Sequence, residues 1–97
     1  MTQIIENPTV PVEDFDTLFD LEDLWAVIVW NDEVNTFQHV IKALMEILSH
    51  SLERAEHLTL QVHNTGKAVV AVRPKDEALA AVHAFHARGI QATLGQI

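Results

Sequence analysis

The sequence predicts an α+β domain, a small three-stranded, mainly antiparallel sheet packed with three helices in the order β-α-α-β-α-β, preceded by a flexible acidic tail. Three observations predict it. The short apolar runs "WAVIVW" and "AVVAVR" have the length and Val/Ile content of strands. Apolar residues elsewhere recur at three- and four-residue steps, the period of a helix with one buried face. Charge is lopsided: residues 1–24 hold seven acids and no Lys or Arg, whereas the remainder holds seven acids and six bases.

The first 24 residues read as an extension and residues 25–97 as the domain. Pro8 and Pro11 interrupt the extension, and its one-sided charge opposes burial. Phe15, Leu18, Phe19 and Leu21 nevertheless sit among the acids, so its end can pack on the domain or dock on a partner. The first strand is expected over Trp25–Trp30. Being apolar on both faces, it suits a central strand covered by helices on one side and by a second layer or the tail on the other.

Phe37, Val40, Ile41, Leu44, Ile47 and Leu48 then form the stripe of a helix. Asn35 or Thr36 can cap it, and Gln38 completes a capping box if the cap is Asn35. "SHS" breaks this helix and Ser51 can cap the next. The second stripe is Leu52, Ala55, Leu58 or Thr59, and Val62, with Gly66 as the stop. The second strand covers Ala68–Arg73. Pro74 opens the third helix, where its missing N–H is harmless. Ala78, Val82 and Phe85 give that helix a thin face suited to close packing, and Gly89 ends it. "IQATL" alternates as a third strand, with Ile90, Ala92 and Leu94 on one face.

Several function classes are disfavoured. The 97 residues hold no cysteine, which removes disulfides and thiolate sites. A net charge of −8 offers no basic surface for nucleic acid. There is no membrane-length apolar run and no signal-peptide pattern, so the cytoplasm is expected as its location. A monomer is expected. No phosphate loop, nucleophile elbow or Cys–His pair is present, and no cofactor is implied. His83 and His86 are three apart on a helix, but no third metal ligand is implied by spacing, so they read as surface histidines.

The polar excess lies at "NDEVN", between the first strand and the first helix. A cap needs one of these residues, which leaves Asn31, Asp32 and Glu33 over. His63, at the end of the second helix, flanks the second strand of the same sheet and can face that loop. If so, amide oxygen, carboxylates and neutral imidazole make an acceptor set suited to a protonated amine, which has three donors and no acceptor. Alternatively His63 is a helix-end residue favoured by the dipole. The same residues could be read as an acid/base set, but a nucleophile or metal is lacking, so binding is favoured over an enzyme.

Two motifs, strand–"ND"–x–x–"NTF"–helix and "ERAEHLTLQVHNTGKAVV", occur in this order and separation. Through them the chain resembles the ClpS family, adaptors that deliver N-degron substrates to a Clp AAA+ unfoldase, from about Trp25 to Leu94. The resemblance implies that a bulky apolar first residue (Leu, Phe, Tyr or Trp) is bound together with its free α-amino group. Asn31 and His63 would then accept from the amine, and Asp32 and Glu33 would supply acidic contact. Asn35, Phe37, Val40, Thr59, Val62 and Ile90 fall at positions of the side-chain pocket. The implied partner is an unfoldase of the ClpA or ClpC type. Glu33 stands where many members have a second Asp, and Phe37 and Thr59 where many have Met. These departures bear on side-chain selectivity rather than on the amine site. If His63 accepts from the amine, binding weakens as its ring takes up a proton. The competing reading is a non-catalytic recruitment domain, similar in fold to the C-terminal domain of the ribosomal stalk protein and lacking such a pocket.

Overall fold

A computed structural model describes residues 23–97 of the chain. The elements are β1 (Leu24–Trp30), α1 (Phe37–Leu48), α2 (Leu52–Thr65), β2 (Lys67–Pro74), α3 (Lys75–Ala87) and β3 (Ala92–Gln96). The expected β-α-α-β-α-β order is therefore observed. Of the acidic extension expected over residues 1–24, all but Asp23 and Leu24 lie outside the described residues, and Leu24 already belongs to β1. Among the described residues no helix is long and apolar enough to cross a membrane.

The sheet order is β2-β1-β3, with both pairings antiparallel. The central position of β1 explains its apolar run. Val27 and Val29 are 0% and 1% exposed and join residues of all three helices in one core. The other face of the sheet carries Ile28 and Trp30 beside Val69 and Val72, the last three of which are exposed. Burial of β1 is thus by the helical layer on one side. No second layer over the other face occurs among the described residues.

Partners in the β1–β2 ladder jump from Val27–Ala71 to Ile28–Val69, so Val70 is an extra residue on β2. This bulge lets Val70 and Ala71 both turn inward, which strict alternation would forbid. On β3, Gly95 lies opposite Ala26, and a Cβ there would come within 2.8 Å of Ile28 Cδ1. A residue without a side chain lets Ile28 lie across the strand.

Local chemistry explains most helix ends. Thr36 caps α1, its hydroxyl accepting from the His39 N–H, and Ser51 caps α2 by accepting from the Arg54 N–H. The choice between Asn35 and Thr36 therefore falls on Thr36, because the Asn35 amide is engaged elsewhere. Gly66 ends α2 at φ 94°, with its N–H donating to Val62 O. Pro74 closes β2 and is the N-cap of α3.

Three placements differ from expectation. Leu52 is exposed because it opens α2 beyond the reach of the sheet, while Leu58 and Thr59 are both buried. Phe37 leaves the buried stripe of α1 and stands 41% exposed, whereas Ala43 joins the core. The third strand starts at Ala92 rather than Ile90. The Ile90 N–H still donates to Phe85 O, extending the turn after α3, so Ile90 is buried without being in the ladder.

Candidate functional site

The loop after β1 is built by its own polar residues. The Asn31 N–H donates to Gly66 O at 2.9 Å, tying the start of the loop to the turn after α2. That turn follows His63 closely, so this bond, continuing the β1–β2 ladder past the Trp30–Lys67 pair, brings the loop beside the end of α2. The Asp32 Oδ1 accepts from the N–H groups of Val34 (2.8 Å) and Asn35 (2.9 Å), and its Oδ2 accepts from Asn35 Nδ2 (2.9 Å). This side-chain turn orders the loop without a glycine. The second amide hydrogen of Asn35 reaches Gly89 O at 2.9 Å.

These ties enclose an open cavity of about 270 Å³. Its lining contains all ten residues singled out from the sequence: Asn31, Asp32, Glu33, Asn35, Phe37, Val40, Thr59, Val62, His63 and Ile90. Val29 and Trp30 complete it. Sequence reasoning missed these two, although they are the last apolar residues before Asn31 and the strand direction carries them to the same rim. Trp30 is oriented by its indole N–H, which donates to Thr93 Oγ1 at 2.8 Å, and by Lys67 Nζ, 4.9 Å from its ring centre.

Polarity is graded across the cavity. Thr59, Val62 and Ile90 are buried at its base, and Val40 is half-buried. The Thr59 hydroxyl donates to Ala55 O at 2.8 Å, so its donor is satisfied inside the helix. Asn31, Glu33 and His63 are exposed at the mouth. The His63 and Phe37 rings meet edge to face, with centroids 5.1 Å apart and an interplanar angle of 69°. Phe37 is thus partly uncovered because it walls the cavity and braces the imidazole.

The Asp32 carboxyl is held below the ordinary carboxylate range. The Asn35 N–H is the main cause, joined by the Asn35 amide, the Val34 N–H and the nearby His39, and burial opposes them only partly. Asp32 therefore stays ionised. With two bonds on Oδ1 and one on Oδ2, it keeps an acceptor position on Oδ2. The mouth thus presents carboxylate, amide oxygen and imidazole acceptors, and the base is apolar. The lining includes no Cys, Ser or Lys that could act as a nucleophile.

The histidine pair considered for metal is not assembled. His83 is exposed, while His86 Nε2 lies 2.7 Å from Ala92 O. Among the described residues no three His, Asp or Glu side chains are grouped as a metal would require.

Fold and cavity together define a small α+β domain with an open cavity, polar at its mouth and apolar at its base, between strand, helix and loop. Residues 20–94 match the family described as "ATP-dependent Clp protease adaptor protein ClpS". The chain is 34% identical over 96 residues to the ATP-dependent Clp protease adapter protein ClpS of Corynebacterium efficiens, covering 93% of this chain and 95% of that one. It is 42% identical over 72 residues to the Corynebacterium diphtheriae adapter, covering 74% and 64% of the two chains. Its fold is similar to that of Agrobacterium tumefaciens ClpS2 bound to L-phenylalaninamide. The TM-score is 0.69 at 22% identity, over 78% of this chain and 99% of that one. The chain belongs to the ClpS family of Clp protease adaptors.

Proposed function

We propose that this adaptor binds the free α-amino group and the bulky apolar first residue (Leu, Phe, Tyr or Trp) of N-degron substrates, and delivers them to a Clp AAA+ unfoldase of the ClpA or ClpC type. The observation that carries this reading is the convergence of an acceptor-rich mouth and an apolar base in one cavity of about 270 Å³. Its size suits one side chain rather than an extended ligand. The ligand named with Agrobacterium ClpS2, L-phenylalaninamide, joins an amine to an aromatic side chain, the same two chemistries.

In this reading Asn31 and His63 accept hydrogen bonds from the ammonium, while Asp32 and Glu33 supply negative charge. Phe37, Val40, Thr59, Val62 and Ile90 surround the side chain, and Asn35 stands at the pocket edge. Burying one large side chain contributes roughly 1.5–3 kcal/mol. Each charge-assisted hydrogen bond contributes roughly 1.5–3 kcal/mol. Ordering the peptide costs several kcal/mol, so affinities no tighter than about micromolar follow. A blocked or internal amide has no ammonium, which leaves the acceptors unpaired and gives specificity for the first residue. The adaptor performs no reaction. It acts as a monomer that raises the local concentration of its cargo at the unfoldase.

A peptide array varying the first residue, free against acetylated, tests this. Binding is expected for free Leu, Phe, Tyr and Trp and to vanish on acetylation. Equal binding of acetylated peptides would overturn the reading. A recruitment domain of the ribosomal-stalk kind would keep its partner after Asn31→Ala and His63→Ala, whereas this adaptor loses the peptide.

A further inference from the structure

The turn between α3 and β3 is held from outside by side chains of α1 and the loop before it. Asn35 Nδ2 donates to Gly89 O at 2.9 Å. His39 Nε2 lies 2.8 Å from Arg88 O. Arg88 itself reaches Glu46 Oε1 at 2.7 Å. These two carbonyls follow the last turn of α3, where backbone oxygens have no intrahelical partner. A carbonyl cannot donate, so the His39 Nε2 carries the hydrogen, and the bond forms in the Nε2–H tautomer and in the imidazolium alike.

The next residue is Ile90, 2% exposed and part of the cavity base. Its main chain is fixed on the helix side by its N–H to Phe85 O at 3.0 Å, and beyond it Gln91 O accepts from the Trp30 N–H at 3.0 Å. The Arg88 and Gly89 N–H groups likewise donate back into α3, to Phe85 O and His86 O at 2.9 Å. Toward α1 the turn is tied by side chains alone: the exposed Arg88–Glu46 ion pair, and the two donors, His39 and Asn35, that hold its carbonyls. The other amide hydrogen of Asn35 holds Asp32 Oδ2, so one side chain joins the acidic mouth to the turn that carries the apolar base.

We propose that His39 and Asn35 are positioning residues that fix the Arg88–Gly89 turn, and through it the depth at which Ile90 meets a bound side chain. They thereby set which apolar first residues fit. This inference rests on the first-residue reading above. His39 is not in the cavity lining. It also lies near Asp32, but the Asn35 and Val34 N–H groups hold that carboxyl low without it. Its removal shifts selectivity and leaves the amine contacts intact.

The test uses the full chain with His39→Ala and His39→Gln, the latter retaining a side-chain N–H donor. Amide hydrogen exchange is read in the free protein. Affinities are read with fluorescent peptides beginning with Leu, Phe or Trp, free and acetylated. For His39→Ala, exchange at Gly89 and Ile90 is expected to quicken on the order of tenfold, with β1 unchanged. The Trp-to-Leu affinity ratio shifts by about fivefold or more, and the effect of acetylation is unchanged. His39→Gln recovers both. Unchanged exchange at Gly89 and Ile90, or an equal loss for every first residue, overturns the proposal. A wild-type protein indifferent to acetylation instead removes the first-residue reading, and the selectivity role with it. The exchange data then still decide whether His39 holds the turn.

Discussion

Replacing Asp32 by Asn tests the loop and the mouth together. An Asn at position 32 keeps one oxygen for the Val34 and Asn35 N–H groups, but puts an NH₂ group where Oδ2 meets Asn35 Nδ2 at 2.9 Å. Two donors then face each other. Flipping the Asn35 amide does not resolve this, because its oxygen would then face Gly89 O. One hydrogen bond is lost in either arrangement, and water re-pairs part of it at this half-exposed site. The expected cost is about 0.5–1.5 kcal/mol. For a domain of this size each kcal/mol lowers Tm by roughly 4–8 °C. Because the folded-state pKa of Asp32 is lowered, its stabilisation is complete above the unfolded value and is lost as pH falls through the folded one. Wild type and Asp32→Asn should therefore converge in acid. The lost charge also weakens amine binding on the order of tenfold. Urea melts at neutral and acid pH, with peptide titration at neutral pH, measure both effects. A variant as stable as wild type at neutral pH and binding peptide equally well would refute the reasoning.

Three further outcomes are expected. His63→Ala weakens peptide binding on the order of tenfold, because one acceptor for the amine is lost. Fluorescence anisotropy with a free peptide checks this, and an unchanged affinity removes His63 from the amine contact. Thr59→Met adds bulk at a buried base position, so affinity for peptides beginning with Trp or Phe falls more than for Leu, by up to about 1–3 kcal/mol. A parallel loss for all three would place Thr59 outside the side-chain site. Gly66→Ala meets no atom within 4 Å but keeps φ 94°, so the cost is one of backbone conformation, about 1–2 kcal/mol, readable as a lower Tm.

The order of elements was legible because period and punctuation agree. Alternating or unbroken Val/Ile runs, three-four stripes, the helix starts at Ser51 and Pro74 and the stop at Gly66 are local signals, and local backbone chemistry obeys them. Misplaced residues share a different cause. Phe37 fits the apolar stripe of α1, yet its place on the first turn puts it over a cavity rather than the core. Leu52 fits the stripe of α2 but precedes the point where that helix meets the sheet. Ile90 alternates correctly with Ala92 and Leu94, but the hydrogen bond to Phe85 O holds it in the turn.

The candidate site divides the same way. The sequence by itself determined which residue types were in excess: acceptors at Asn31, Asp32 and Glu33 beyond what capping needs, and a histidine at a helix end. It also carried the two motifs that mark the family. Only the tertiary structure decided that these groups share one mouth, because the bond from the Asn31 N–H to Gly66 O links residues far apart in the chain. It also decided the division of labour between "NDEVN" and the Thr36 that follows it. Thr36 caps the helix, Asp32 orders the loop while keeping its charge, and Asn35 reaches across to Gly89. Sequence spacing reports the partners a residue can have within one element. Which partner prevails is set by the packing of distant elements, through contacts that leave no periodic trace.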